Sequence, residues 1–111
     1  MKVFADECFN FDLMPHFSSY DLTHIRDTTL RGTKNGALLR AVATDYDVFL
    51  TTDRHIPKQQ NLKKFDLVFV IMRGRTNNID DLLPLVPATL AAPDEIAHGS
   101  AAPGDLYEIS G

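Results

Sequence analysis

Two short apolar runs, each of which stops abruptly at acidic residues, constrain the fold of this chain more than any other feature. The first run, 3–5, is followed by Asp6 and Glu7. The second run, 48–50, is followed by the Thr-Thr-Asp segment 51–53. Uninterrupted β-formers of this kind are typical of strands that are buried on both faces of a parallel sheet. Because functional crevices lie beyond the carboxyl ends of such strands, we expect these acidic residues to converge at one edge.

Strand-like and helix-like segments alternate along the rest of the 111 residues. Further strands are predicted at 20–25, 65–72 and 106–109. Helices are predicted at 8–17, 36–46 and 79–92, with a short one after Pro57. This alternation predicts an α/β fold with a mainly parallel central sheet flanked by helices.

Local signals refine the predicted helices. Asn35 is expected to cap the helix 36–46. Pro84 and Pro87 should bend the helix 79–92 or divide it into shorter turns. The small, proline-containing segment 93–103 is predicted to be loose. No linker is visible, so we expect a single domain over 1–111.

The charge balance restricts any contact with nucleic acid. The formal net charge is −4, whereas a sequence-independent nucleic-acid binder usually carries a broad basic face. Local clusters would have to make such contacts, and two are visible in the sequence: Lys58, Lys63 and Lys64 in one, and Arg73 and Arg75 in the other.

Three further observations bear on the compartment. The longest apolar run, 67–72, is far too short to span a bilayer. The chain begins directly with a predicted strand rather than with a signal peptide. Cys8 is the only cysteine, which excludes an internal disulfide and a cysteine-based zinc site. We therefore expect a cytoplasmic protein with no membrane partner.

A cluster of Asp6, Glu7 and Asp53 would need a proton or a cation. Two ionised carboxylates about 4 Å apart repel each other by roughly 4 kcal/mol at an effective dielectric constant near 20. Mg²⁺ or Mn²⁺ suits such a site and supports phosphodiester hydrolysis, with Thr51 and Thr52 hydrogen-bonded to the carboxylates. The alternative is that Asp6 or Glu7 simply caps the following helix.

The order of several short motifs resembles the short PIN-like ribonucleases, which are relatives of the toxin subunits of virulence-associated type II toxin–antitoxin modules. The matching segments are 6–8 (Asp-Glu-Cys), 34–39 (Lys-Asn-Gly-Ala-Leu-Leu), 47–53 (Asp-Val-Phe-Leu-Thr-Thr-Asp), 59–61 (Gln-Gln-Asn) and 80–87 (Asp-Asp-Leu-Leu-Pro-Leu-Val-Pro). Together they extend over most of the chain.

The resemblance implies a PIN-like three-layer fold with Mg²⁺ or Mn²⁺ at the carboxyl edge of the sheet. Asp6 matches the first metal-binding acid of the family, and Asp53 matches the acid that ends its later strand. This chain departs from the pattern at two places, since it has Asn35 and Ala37 near the helix start and His55 after Asp53, where relatives often have acids.

The resemblance also implies partners, namely an RNA substrate, a cognate antitoxin protein and a second copy of the chain. The apolar C-terminal helix would either supply a shared surface or belong to the core. Its candidate residues are Leu82, Leu83, Leu85 and Val86.

Other polar residues are weaker candidates for the same site. Arg73, and less strongly Arg75, would bind a phosphate or stabilise developing charge, or else would pair with surface acids. His55 is a candidate metal ligand or general acid. Candidates for contacts with RNA or water are Asn35, Gln59 and Asn61. Cys8 is interpreted as a small buried residue rather than a nucleophile.

Three functions remain open on the sequence. The leading hypothesis is a metal-dependent endoribonuclease toxin. The second is a catalytically reduced PIN-like module that binds RNA or a partner without cleavage. The third is a phosphoacceptor receiver domain, which needs a lysine at the end of its last strand. This chain has no lysine after Lys64.

Overall fold

The computed structural model describes residues 2–98 and 104–110, which contain five strands in a single sheet. The strands are β1 (Lys2–Ala5), β2 (Asp21–His24), β3 (Val48–Thr51), β4 (Val68–Arg73) and β5 (Leu106–Ser110). All neighbouring strands are parallel, in the order β2-β1-β3-β4-β5. The predicted parallel sheet is therefore confirmed, including the edge strand near the C-terminus.

Helices connect the strands on both faces of the sheet. The α-helices are α1 (Asn35–Asp45), α2 (Ile56–Gln59), α3 (Ile79–Leu82) and α4 (Val86–His98). Short 3-10 segments lie at Phe11–Phe17, Ile25–Asp27, Leu62–Lys64 and Leu83–Leu85. The interruption between α3 and α4 confirms the bend predicted from Pro84 and Pro87, because proline removes a backbone donor and crowds the preceding turn.

The side chains of the central strands alternate between two hydrophobic cores. One core contains Val48 and Leu50 of β3, packed against the 3-10 segment Phe11–Phe17 and against α3 and α4. The other contains Phe49, packed against α1 and α2. Strands buried on both faces read as continuous apolar runs, which explains the sequence pattern. The three-layer arrangement of helices, sheet and helices is confirmed.

Several predicted boundaries are wrong. Asn35 is the first residue of α1 rather than its cap, and Lys34 occupies the cap position without a side-chain hydrogen bond. The helix predicted at 8–17 is a 3-10 segment that begins at Phe11, where Asn10 accepts a hydrogen bond from the backbone N–H of Asp12. Pro15 removes a donor that a longer α-helix would need.

The C-terminal part of the chain also departs from the prediction. The expectation of a loose segment over 93–103 is wrong for 93–98, which continue α4 as far as His98. The alanines around Pro93 favour a helix, and this preference outweighs the local signal from the proline. Residues 99–103 lie outside the described part of the chain.

The pairing of β1 with β3 positions the acidic residues. Ala5 is in register with Leu50, and the backbone N–H of Asp6 donates a 3.3 Å hydrogen bond to the Leu50 carbonyl. The order in which strands are added to the sheet reverses at this pair. The chain goes from β1 to β2 on one side, and then to β3 and β4 on the other. In doubly wound sheets this switch point is where ligands bind.

Within the described ranges, no helix is both long and apolar enough to cross a bilayer.

Gly104 offers a test of how β5 is held in the sheet. Its φ is +85°, and a Cβ there would lie 2.7 Å from Lys63 Cα. Gly104→Ala should lower the free energy of unfolding by about 1–2 kcal/mol for the left-handed backbone and by about 1–3 kcal/mol more for the collision. Urea unfolding measures the total.

Gly32→Ala is the matched control for that substitution. Gly32 has a φ of +84°, but nothing lies within 4 Å of the position of its Cβ. It should therefore show the backbone cost alone. Equal losses in the two variants would contradict the close packing of Gly104 against the segment Leu62–Lys64.

Candidate active site

A cleft of about 190 Å³ opens at the carboxyl edge of β1 and β3. Its acidic wall consists of Asp6, Glu7 and Asp53, together with Cys8. The rest of the lining comes from the segment before α1, from α1, from α2 and the residue after it, and from β3, and its members are Thr33, Lys34, Leu38, Leu39, Phe49, Ile56, Gln59 and Gln60. The predicted convergence of the three acids is therefore confirmed, at the strand ends named by the sequence.

Asp6 is the most unusual group in this cleft. Only 8% of the residue is exposed. Its Oδ2 accepts a 2.8 Å hydrogen bond from the Thr51 hydroxyl. Its Oδ1 is buried and has no hydrogen-bond partner among the described residues. Buried polar atoms are normally paired, so an orphaned acceptor here points to a proton or a cation at that oxygen.

The environment makes Asp6 a weak acid. Burial raises the pKa of Asp6 from 3.8 to about 6, because the charged form loses hydration. The hydrogen bond from Thr51 and the nearby backbone N–H groups of Phe9 and Cys8, which satisfy no strict hydrogen-bond geometry to the carboxylate, favour the anion and oppose this shift, whereas the negative charge of Asp53 adds to it. The two carboxylates therefore interact.

Thr51 connects the two acids. It is fully buried at the end of β3, and its hydroxyl oxygen also accepts a 3.0 Å hydrogen bond from the backbone N–H of Asp53. Asp53 Oδ1 in turn accepts from the backbone N–H of His55 at 2.9 Å. Asp53 thus caps the turn that leads into α2. Its other carboxylate oxygen, Oδ2, has no hydrogen-bond partner within the described part of the chain.

Hydrogen bonds fasten the loops around the cleft. The Cys8 carbonyl accepts from the Thr52 hydroxyl at 2.7 Å and from the Asn77 amide at 2.9 Å. Arg54 donates to the Gly74 carbonyl at 3.3 Å. The loops that follow β1, β3 and β4 therefore hold one another. Thr52 acts on the backbone rather than on the acids as predicted.

Glu7 lies at the exposed rim of the cleft, where its Oε1 accepts a 3.3 Å hydrogen bond from the Gly32 N–H. Neither Glu7 nor Asp6 caps the following 3-10 segment, because Asn10 does so. The capping alternative therefore fails for both residues.

The predicted arginines do not reach the cleft. Arg73 forms a 2.9 Å ion pair with Glu108 of β5, on the opposite side of β4 from β3. Arg75 lies 3.9 Å from Asp81 and is 88% exposed. Neither lines the cleft, so the acid-pairing alternative describes both. Parallel pairing of β4 with β5 brings Glu108 beside Arg73, and the sequence alone gave no register for that pairing.

The remaining candidate residues differ in whether they line the cleft. Gln59 lines the cleft, but Asn61 caps the segment Leu62–Lys64 by accepting from the Lys63 N–H. His55 is exposed, and its hydrogen bond to Asp53 is made by its backbone N–H rather than by its side chain. The side chain of Asn35 lies outside what the structure describes.

Sequence reasoning missed Lys34 and Gln60, which both line the cleft. Lys34 was not singled out because the helix cap was assigned to its neighbour, Asn35. A lysine immediately before a helix that begins at the sheet edge is the signal that would have revealed it. Its ammonium lies close enough to lower the pKa of Cys8, although other groups outweigh it.

Cys8 is exposed rather than buried as predicted. Partial burial of the thiol, followed by the negative charges of Asp6, Asp53 and Glu7, raises the pKa of Cys8 to about 11. The group therefore stays protonated at neutral pH, which supports the interpretation that it is not a nucleophile.

The donor set fits a hard divalent cation that retains water. No group of three or more His, Cys, Asp or Glu side chains in the described chain is arranged to hold a metal. Mg²⁺, however, is usually bound through one or two carboxylates and several waters. Asp6 and Asp53 supply two carboxylates, and the cleft has room for roughly six waters at about 30 Å³ each.

Comparison with protein-family models, with curated proteins and with solved structures finds no match for this chain.

The raised pKa of Asp6 predicts how stability depends on pH in chelator. Between about pH 4 and 7 the folded chain holds a proton that the unfolded chain has released, so the free energy of unfolding falls as pH rises. A shift of this size corresponds to about 3 kcal/mol. Asp6→Asn does not ionise and should gain about that much relative to wild type between pH 4 and pH 8, as measured by urea unfolding.

Asp66→Asn is the control for that series, since Asp66 is exposed at the opposite edge of the sheet. Its difference from wild type should stay flat with pH. If the Asp6→Asn curve also runs parallel to wild type, the burial of an ionisable Asp6 is refuted.

Proposed function

We propose that this chain is a Mg²⁺- or Mn²⁺-dependent endoribonuclease of the PIN-like kind, and the toxin of a type II toxin–antitoxin pair. The observation that carries the proposal is the buried, unpaired Oδ1 of Asp6, a residue that lines the same cleft as Asp53. The motif order in the sequence supplies the reaction class. The site chemistry supports a cation at the same place.

Asp6 and Asp53 are the residues that would hold the metal. When bound, a divalent ion lowers the pKa of a water and stabilises charge on a phosphate. Thr51 fixes the orientation of Asp6 through its hydroxyl and limits the rise of the Asp6 pKa. Glu7 at the rim accepts hydrogen bonds from groups that enter the cleft.

Lys34 provides a positive charge in the lining of the same cleft as the acids. A phosphodiester in the cleft would have its negative charge offset both by the cation on the acidic wall and by the ammonium of Lys34. This arrangement suits a phosphate substrate better than a neutral one. We assign Lys34, rather than Arg73, as the basic residue of the site.

The proposal includes a cytoplasmic location, a cognate antitoxin and self-association. The apolar residues suggested for a shared surface are largely core, since Leu82, Leu85 and Val86 are buried. An interface with an antitoxin or a second copy would therefore use residues other than these three.

Two alternatives have specific support. The absence of a three-residue ligand group in the described chain favours a PIN-like module that binds without cleaving. The strand order is also that of receiver domains. A receiver, however, needs a lysine after its last strand, and none follows Lys64.

Cleavage of a mixed single-stranded RNA panel tests the main proposal. Purified, antitoxin-free chain should cut with Mn²⁺ or Mg²⁺ and not with chelator. Asp6→Asn and Asp53→Asn should each lower the rate at least about 100-fold, because each removes a charge that holds the ion. Asp66→Asn makes the same change at the opposite edge and should cut normally.

Folded wild type that neither cuts nor gains thermal stability with Mn²⁺ would reject the nuclease and favour the binding module. Rapid growth of a bacterial host that expresses wild type alone would count against the toxin role.

Thr51 gives a second test through the pH dependence of cleavage. Thr51→Val removes a hydrogen bond that favours the Asp6 anion, so the pKa of Asp6 should rise further. The acid limb of the rate profile should move to higher pH, and activity should recover as the pH is raised. Thr51→Ser keeps the hydroxyl and should restore the original profile. A uniform loss in Thr51→Val at every pH would indicate a merely structural role.

A further inference from the structure

A second cleft, of about 420 Å³, lies on the other side of the segment that follows β1. Glu7 and Cys8 line both clefts, so the two are separated only by these residues. The side chains that give the second cleft its character are Phe11, Arg26, Arg31, Asn10 and Asn77. Its volume falls in the range of ligand-binding clefts. None of the nuclease chemistry above uses it.

Arg26 and Phe11 form a cation–π platform in this cleft. The Arg26 guanidinium lies 4.0 Å from the centroid of the Phe11 ring. The ring is braced edge-on by His24, at 5.1 Å between centroids. Unpaired nucleobases stack on aromatic rings and on guanidinium planes, so a stacked Arg–Phe pair is suited to receive a base.

The platform is held rigidly from below. His24 is buried, and its Nδ1 accepts a 3.1 Å hydrogen bond from the backbone N–H of Arg26. The opposite ring nitrogen, Nε2, therefore carries the proton and donates to the Phe9 carbonyl at 2.9 Å. This buried imidazole fixes the start of the 3-10 segment Ile25–Asp27 against the loop after β1.

Arg31 is a cation without an opposing acid. No carboxylate within the described ranges lies within ion-pair distance of Arg26 or Arg31. Among the cations singled out in the sequence, Arg73 pairs with Glu108 and Lys63 pairs with Asp105, whereas Lys58 and Lys64 also form no ion pair within the described ranges. A chain with a net charge of −4 must attract polyanions locally, and this cleft carries two unpaired guanidiniums beside the acidic cleft.

We propose that the second cleft binds a nucleotide of single-stranded RNA next to the one whose phosphate enters the acidic cleft. Arg26 on Phe11 stacks the base, and Arg31 binds a backbone phosphate. Glu7, in the shared wall, accepts from the ribose 2′-hydroxyl, the group that distinguishes RNA from DNA. This inference rests on the proposed nuclease function, and it names the substrate strand and its path.

Fluorescence anisotropy with a labelled single-stranded RNA of about ten nucleotides, in chelator, tests the inference without cleavage. Arg26→Ala and Arg31→Ala should each weaken binding about tenfold. Lys2→Ala also removes an exposed cation, but at the amino edge of the sheet, and should bind like wild type. Arg31→Ala should also reduce the slope of log affinity against log salt by about 0.7.

Arg26→Lys separates stacking from charge, since it keeps the cation but loses the planar guanidinium. It should bind almost as weakly as Arg26→Ala. Wild-type binding by Arg26→Lys, or equal losses in Lys2→Ala and the two arginine variants, would overturn the assignment. Single-stranded DNA of the same sequence should bind more weakly, and equal affinity would overturn the role of the 2′-hydroxyl.

The binding measurement can be interpreted even if the nuclease proposal fails. Binding is measured without metal, so a chain that never cuts RNA can still show the loss in Arg26→Ala and Arg31→Ala. Conversely, metal-dependent cutting with unchanged binding in both variants would leave the nuclease intact and reject this cleft as the strand path.

Discussion

The pairing of β1 with β3 is the constraint on which the rest of this structure depends. Both strands are buried on both faces, so their apolar runs cannot extend past the sheet edge without exposing hydrophobic surface. The in-register contact of Ala5 with Leu50 then fixes where each run stops. Asp6 follows immediately, beside Thr51. The acidic cleft is thus a consequence of strand register.

The fold was accessible from the sequence wherever one local pattern dominated. The uninterrupted runs that became β1, β3 and β4 predicted parallel strands, and Pro84 predicted the break between α3 and α4. Prediction failed where two local signals competed. The alanines after Leu90 favour a helix while Pro93 opposes one, and in the structure the helical preference prevails as far as His98. Lys34 occupies the cap position and Asn35 the first helical position, although asparagine is the stronger N-cap residue.

The candidate site was accessible only in part, for a physical reason. Asp6 and Asp53 follow strands directly, so topology alone brings them together. Lys34, Gln60 and the Arg26–Phe11 pair come from loops whose positions depend on tertiary contacts, and no periodicity encodes those contacts. Arg73 shows the reverse failure, since the sequence put it at the correct edge but could not reveal Glu108 beside it. Strand ends are predictable, whereas the partners of long side chains are not.

The small number of acids in the cleft has an electrostatic consequence. A further carboxylate in the cleft would add to the repulsion that Asp53 already exerts on Asp6 and would raise the pKa of Asp6 still more. Such a site would be costly to fold without its cation. With so few acids beside it, and with Lys34 in the lining of the same cleft, Asp6 can stay buried when no metal is bound and holds a proton below its pKa of about 6. Cation and proton then compete for the same oxygen, so fewer acids make the site weaker for metal but less dependent on it for stability.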